Sequence, residues 1–139
     1  MRMLSPYILF LAVLLFAGGV LKGQSMIDLT KEEVQVLVKN KHKEYRRDNS
    51  VVNQRFNYLK YVNGLRTRTW IFYFTNEDIC KSIKMVCDYG EHDEVLEDLN
   101  DSFEKVGESE WAYELKGDSV HISLTRQEWY FSVREARKK

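Results

Sequence analysis

The chain has 139 residues, 44% of them hydrophobic, and its 21 Lys/Arg are matched by 21 Asp/Glu. Seven Phe, eight Tyr and three Trp with a single proline exclude a disordered or low-complexity chain. The neutral total hides a partition: residues 24–75 carry ten Lys/Arg against five Asp/Glu, residues 76–118 four against fourteen, and residues 119–139 five against two, so no continuous basic face exists for nucleic acid.

Arg2 precedes an apolar run over residues 7–21 that contains Gly18-Gly19 and ends in Lys22-Gly23-Gln24-Ser25. At about 15 residues the run falls short of the roughly 20 that a membrane helix needs. It reads as a secretory signal peptide over residues 1–23, which leaves a single domain at 24–139 and predicts an exported protein, in the periplasm, on the cell surface or secreted. Once the signal is cleaved no stable membrane anchor is expected. About 115 residues suffice to bury roughly two-thirds of the surface of the unfolded chain.

Thr30-Lys31-Glu32-Glu33 has capping-box spacing, with Leu29 and Val34 at the hydrophobic-staple positions. Val34, Leu37, Val38 and Tyr45 then share one face, which predicts an amphipathic helix running to about residue 47. Residues 55–62 are rich in aromatic and β-branched side chains and meet Asn63-Gly64, the signal for a type I′ hairpin turn. Residues 65–75 return as a strand, with Trp70, Phe72 and Phe74 on one face and Thr69, Ile71 and Tyr73 on the other. A third strand is predicted over 79–89, where Ile79, Ile83, Met85 and Cys87 alternate with Cys80, Ser82 and Lys84.

From residue 91 to 106 the period becomes helical, with Val95, Leu99, Phe103 and Val106 on one stripe, an acidic first turn and Gly107 as terminator. Three further strands follow around Trp111 to Leu115, Val120 to Leu124 and Trp129 to Val133, the first two separated by a turn at Gly117-Asp118. The order is therefore two αβββ units, and the fold class is α+β: one antiparallel sheet with two helices packed on one face.

No motif supplies chemistry, and no catalytic, cofactor-binding or metal residue is assigned. His42, His92 and His121 stand outside any nucleophile elbow or comparable constellation. Glu91-His92-Asp93-Glu94 with Glu97 and Asp98 has neither EF-hand nor zinc-helix spacing, and acidic residues suit a helix N-terminus for dipole reasons alone. Cys80 and Cys87 lack CxxC spacing, and seven residues along one strand or helix hold them too far apart to bond, so two buried free thiols are expected. Trp70, Trp111 and Trp129 alternate with apolar neighbours and are predicted to be core. A solvent-exposed Trp would instead indicate a binding surface.

These readings predict a small, non-enzymatic exported binding module without cofactor, whose partner is a macromolecule, most simply a protein, met by a sheet face or edge. At the level of fold alone, tandem helix-plus-sheet units resemble some exported inhibitors of secreted enzymes, although no inhibitor signature is present. The alternative is a pocket between sheet and helices for an apolar or sugar-like ligand, with hydrolytic activity from scattered residues. A cavity lined by Tyr58, Tyr73 or Trp129 beside a buried His would favour it.

Overall fold

Eight antiparallel strands form one sheet in the order β1-β2-β3-β4-β8-β7-β6-β5. The computed structural model describes residues 25–50 and 52–138, so the predicted signal peptide at 1–23 lies outside the described residues. In chain order the elements are α1 (Lys31–Lys41), β1 (Tyr45–Arg47), β2 (Tyr58–Asn63), β3 (Arg68–Phe74), β4 (Cys80–Cys87), a 3₁₀ turn (Tyr89–Glu91), α2 (His92–Ser102), β5 (Glu104–Gly107), β6 (Glu110–Leu115), β7 (Asp118–Arg126) and β8 (Phe131–Arg137). The class is α+β. No helix among the described residues is long and apolar enough to cross a membrane.

The capping box forms as spaced: Glu33 N–H donates to Thr30 Oγ1 at 3.2 Å, and Thr30 N–H donates to Glu33 Oε1 at 3.1 Å. These two bonds satisfy donors that the first helical turn leaves open. Both helices are shorter than predicted. α1 stops at Lys41, where His42 leaves helical geometry, and Tyr45–Arg47 pairs instead with β2 through Tyr45↔Asn63 and Arg47↔Tyr61. α2 stops at Ser102 because Phe103 turns extended to stack on Tyr113, ring centroids 5.2 Å apart, and Glu104–Gly107 joins β6. Four strands therefore follow each helix, not three, and the added ones are the two sheet edges.

Turn chemistry differs in two places, at Asn63-Gly64 and at the turn expected over Gly117-Asp118. A hairpin does join β2 to β3 at Asn63-Gly64, but the left-handed residue is Arg66, at φ 57°, and not Gly64. The Asn63 side chain decides this by accepting from the backbone N–H groups of both Thr67 and Arg68 at 2.9 Å, which fixes the longer loop. Between β6 and β7 the tight turn is Lys116-Gly117, both residues at positive φ as a type I′ turn requires.

Two core clusters share the sheet. In the first, Val34 and Val38 of α1 pack with Leu59, Tyr61, Phe72, Phe74, Ile83 and Val120. The second sets Val95 and Leu99 of α2 against Cys87, Trp111, Ile122, Leu124 and Phe131. Tyr113 touches both. Met26 and Ile27, just before α1, are buried in the first cluster, and this segment is tied to β4 by Asp28 N–H to Cys80 O and Cys80 N–H to Leu29 O. A register shift between Tyr73 and Phe74, with Lys81 as the extra residue, turns Cys80 onto the same side as Phe74 and Ile83, where strict alternation would have put it opposite.

Candidate functional site

One row crossing six strands reads Leu59, Phe72, Ile83, Glu135, Ile122 and Trp111. Five of these are buried hydrophobic residues. The sixth is a carboxylate on β8, a central strand of the sheet.

Glu135 is reached because a cavity of about 380 Å³ opens above it between the two helices. Its floor is Trp70, Ile83, Tyr113 and Glu135; Leu37 and Lys41 of α1 with His42 just after it stand on one side, and Asp98, Leu99 and Ser102 of α2 with Phe103 on the other. A smaller, more apolar pocket of about 180 Å³ shares Trp70, Ile83, Asp98, Leu99, Phe103 and Glu135 with it and extends under α2. The Glu135 carboxyl accepts from the Tyr113 hydroxyl and from Ser25 Oγ at 3.4 Å, and Ser25 Oγ and Tyr113 OH are themselves 2.5 Å apart. Protein encloses the carboxyl on nearly every side, and this burial raises its pKa above the usual carboxylate range; the Tyr113 and Ser25 hydrogen bonds oppose the shift without cancelling it. Burial, reinforced by the neighbouring Glu135, likewise raises the Tyr113 phenol. At the rim, His42 meets Trp70 edge to face at 4.9 Å, and its pKa is lowered by burial, which keeps the ring neutral at physiological pH.

A second feature lies at the end of the sheet where β3 begins, β4 ends, and β7 turns into β8. The registers Arg68↔Cys87, Cys87↔Phe131 and Arg126↔Phe131 bring three connections together there. They present Leu65, Tyr89, Trp129 and Tyr130 to solvent; Leu65 is 82% and Trp129 81% exposed. Backbone bonds hold the Trp129 loop in shape: Gln127 N–H donates to Tyr130 O at 2.8 Å, and the Tyr89 hydroxyl donates to Gln127 O. Beside it, Arg126 Nη2 lies 2.8 Å from His92 Nε2.

The tryptophans thus divide three ways. Trp111 is wholly buried as predicted, Trp70 is half-buried on the cavity floor, and Trp129, predicted to be core, sits in the hairpin loop because β8 starts only at Phe131. Neither Tyr58 nor Tyr73 nor Trp129 lines the helix-side cavity. His121 alternates with buried Val120 and Ile122, so it faces the opposite side of the sheet beside Ser119 and Ser123. The acidic cluster disperses: Glu91 Oε1 accepts from Thr67 Oγ1 at 2.8 Å and pairs with Arg68 Nε at 3.2 Å, while His92 Nδ1 lies 3.2 Å from Asp93 Oδ1. Among the described residues no group of three or more His, Cys, Asp or Glu is placed to hold a metal ion.

Cys80 and Cys87 are both free and buried, as the spacing predicted. Burial pushes their thiols up to about 12 and about 11, so both are protonated at neutral pH and neither is a nucleophile.

The reasoning from sequence passed over Glu135. Phe131, Val133 and Glu135 alternate along one strand, so the signal existed as a charged residue on the apolar parity of β8. Compared with known proteins, the chain matches no family model, no curated protein and no solved structure.

Proposed function

We propose that the chain is an exported, non-enzymatic interaction module that docks onto a protein partner through the hairpin end centred on Trp129. In this reading it consists of two helix-plus-sheet units, α1 with β1–β4 and α2 with β5–β8, joined through β4 and β8 with both helices on one face. The register supports that arrangement, because the residues packed by α1 and by α2 fall on the parity of the Leu59-to-Trp111 row.

The observation that carries the proposal is Trp129. An indole 81% exposed on a hydrogen-bonded hairpin is costly to leave in water, and Trp, Tyr and Arg dominate the residues on which protein interfaces depend. Tyr130, Tyr89, Leu65 and Arg126 lie at the same end of the sheet as Trp129. Recognition by strand addition at an edge is disfavoured: β1 has three residues, two of them arginine, and β5 has four and an irregular register.

A photo-crosslinking amino acid placed at position 129 is expected to capture a protein in exporting cells, whereas the same probe at Val36, exposed on α1, captures none. In the isolated complex Trp129→Ala is expected to weaken binding about 30-fold or more while changing stability by no more than about 0.5 kcal/mol. Equal capture at positions 129 and 36 would sink the proposal. Intact mass of the protein from the same cells checks export, the expected chain beginning near Gln24; a full-length mass would overturn that part.

A further inference from the structure

We propose that the cavity between α1 and α2 binds a small organic amine, with its ammonium group on the Glu135 carboxylate and its apolar body against Trp70, Ile83 and Phe103. The site shares no residue with the hairpin end and stands independently of it.

Position favours a bound cation. In a row whose other five members are buried hydrophobic residues, a sixth apolar side chain would close the floor, and a carboxylate there costs stability unless something pairs with it. The lack of a resident cation favours it too. Among the described residues the groups that bond Glu135 are the hydroxyls of Tyr113 and Ser25, with no Lys, Arg or His in ion-pair range. Arg68, the guanidinium that lines the deeper pocket, is already held by Glu91 at 3.2 Å and Glu94 at 3.5 Å.

Shape and chemistry narrow the ligand. A volume of about 380 Å³ falls in the range of small-molecule sites. Met26, Leu37, Ile83, Leu99 and Phe103 suit an apolar body, with Lys41, His42, Asp98 and Ser102 as further polar lining, and an anion would meet the Glu135 carboxyl. An ammonium gains the carboxylate, and the apolar body it carries gains contact with the Trp70 and Phe103 side chains that line the cavity. Lys41 at the rim is offset by Asp98 across the opening, so the approach carries no net positive barrier from these two groups.

The test is calorimetric titration of the purified protein at neutral pH with 2-phenylethylamine and, separately, with 2-phenylethanol, which keeps the ring and chain but replaces the ammonium by a hydroxyl. The amine is expected to bind at least about ten-fold more tightly than the alcohol, a difference of about 1.4 kcal/mol. Glu135→Gln, nearly isosteric, is expected to lose at least about ten-fold in amine affinity with no drop in unfolding midpoint. Ser102→Trp, at an exposed position on the rim, is expected to abolish binding by filling the mouth. Absence of amine binding up to its solubility limit, equal binding of the alcohol, or undiminished binding by either variant overturns the proposal.

Discussion

Trp111→Ala is expected to lower stability by about 3–5 kcal/mol, the range for deleting a large buried aromatic residue. Trp111 is fully buried on β6 between its strand partners Lys105 and Ile122, and it packs in the cluster that holds Val95 and Leu99 of α2 to the sheet. Its indole N–H donates to Asn100 Oδ1 at 3.0 Å, which also ties the sheet to the last turn of α2. Because Asn100 is exposed, water replaces that bond in the variant, and the loss is dominated by the cavity and the missing contacts. Domains of this size have about 5–15 kcal/mol in total, so the variant should unfold at a much lower urea concentration. Trp111→Phe, which keeps most of the volume, is expected to cost under half as much. Since Tyr113 bridges the two clusters, the transition should remain single, with tryptophan fluorescence and far-ultraviolet circular dichroism coinciding. A cost for Trp111→Ala below about 1 kcal/mol would mean that α2 does not pack on this sheet as described.

Glu135→Gln is expected to stabilise the protein by about 1–3 kcal/mol at neutral pH and to leave it nearly unchanged in acid. Burial raises the folded-state pKa of Glu135 above its unfolded-state value, so ionisation favours the unfolded chain. Below the unfolded value, about 4.3 for a glutamate, the carboxyl is protonated in both states and costs nothing. As pH rises past that value the unfolded chain ionises first, stability falls, and the decline stops once the raised folded-state pKa is passed. Two neighbours leave the sign intact: Tyr113, its phenol raised, stays protonated throughout, and His42, its pKa lowered by burial, is neutral over the upper part of the window. Every other titrating group is common to the two proteins and cancels in the difference. Urea titrations of both proteins between acid and neutral pH give the curve directly; a gap that does not change with pH would show that Glu135 is not the buried acid described here.

The same residue bears on the amine site, since an ammonium bound to Glu135 would remove the cost of ionisation. Stability of the native protein at neutral pH should therefore rise with amine concentration, and that of the Glu135→Gln protein should rise less at the same concentrations.

Alternation and capping made much of the secondary structure legible. The capping box fixed where α1 begins, and the alternating runs located six of the eight strands. The two misses, β1 and β5, are three and four residues long, and each continues the helical pattern before it: Tyr45 falls on the apolar stripe of α1, and Phe103 and Val106 on that of α2. No glycine or proline ends either helix at its true terminus. Those ends are set from outside, by a sheet edge that offers β1 and β5 backbone partners and by Trp70 and Tyr113, which offer aromatic faces to Tyr45 and Phe103. Trp129 was misplaced by a similar step, because a hairpin loop that begins two residues later than the alternation suggests turns a core position into an exposed one.

By itself, then, the sequence determined the class, the antiparallel sheet, most of the core and the buried state of both thiols, because periodicity, capping and turn chemistry act over a few residues. Only the tertiary structure decided which distant strands meet, and with that where Glu135 lies. Between the nearest ends of β4 and β8 lie 43 residues, and their pairing sets Glu135 beside Ile83, while pairing with β7 sets it beside Ile122. A charge on an apolar parity has no local signature that separates a strand end from a buried site. The difference arises from what the neighbouring strands and two distant helices place around it.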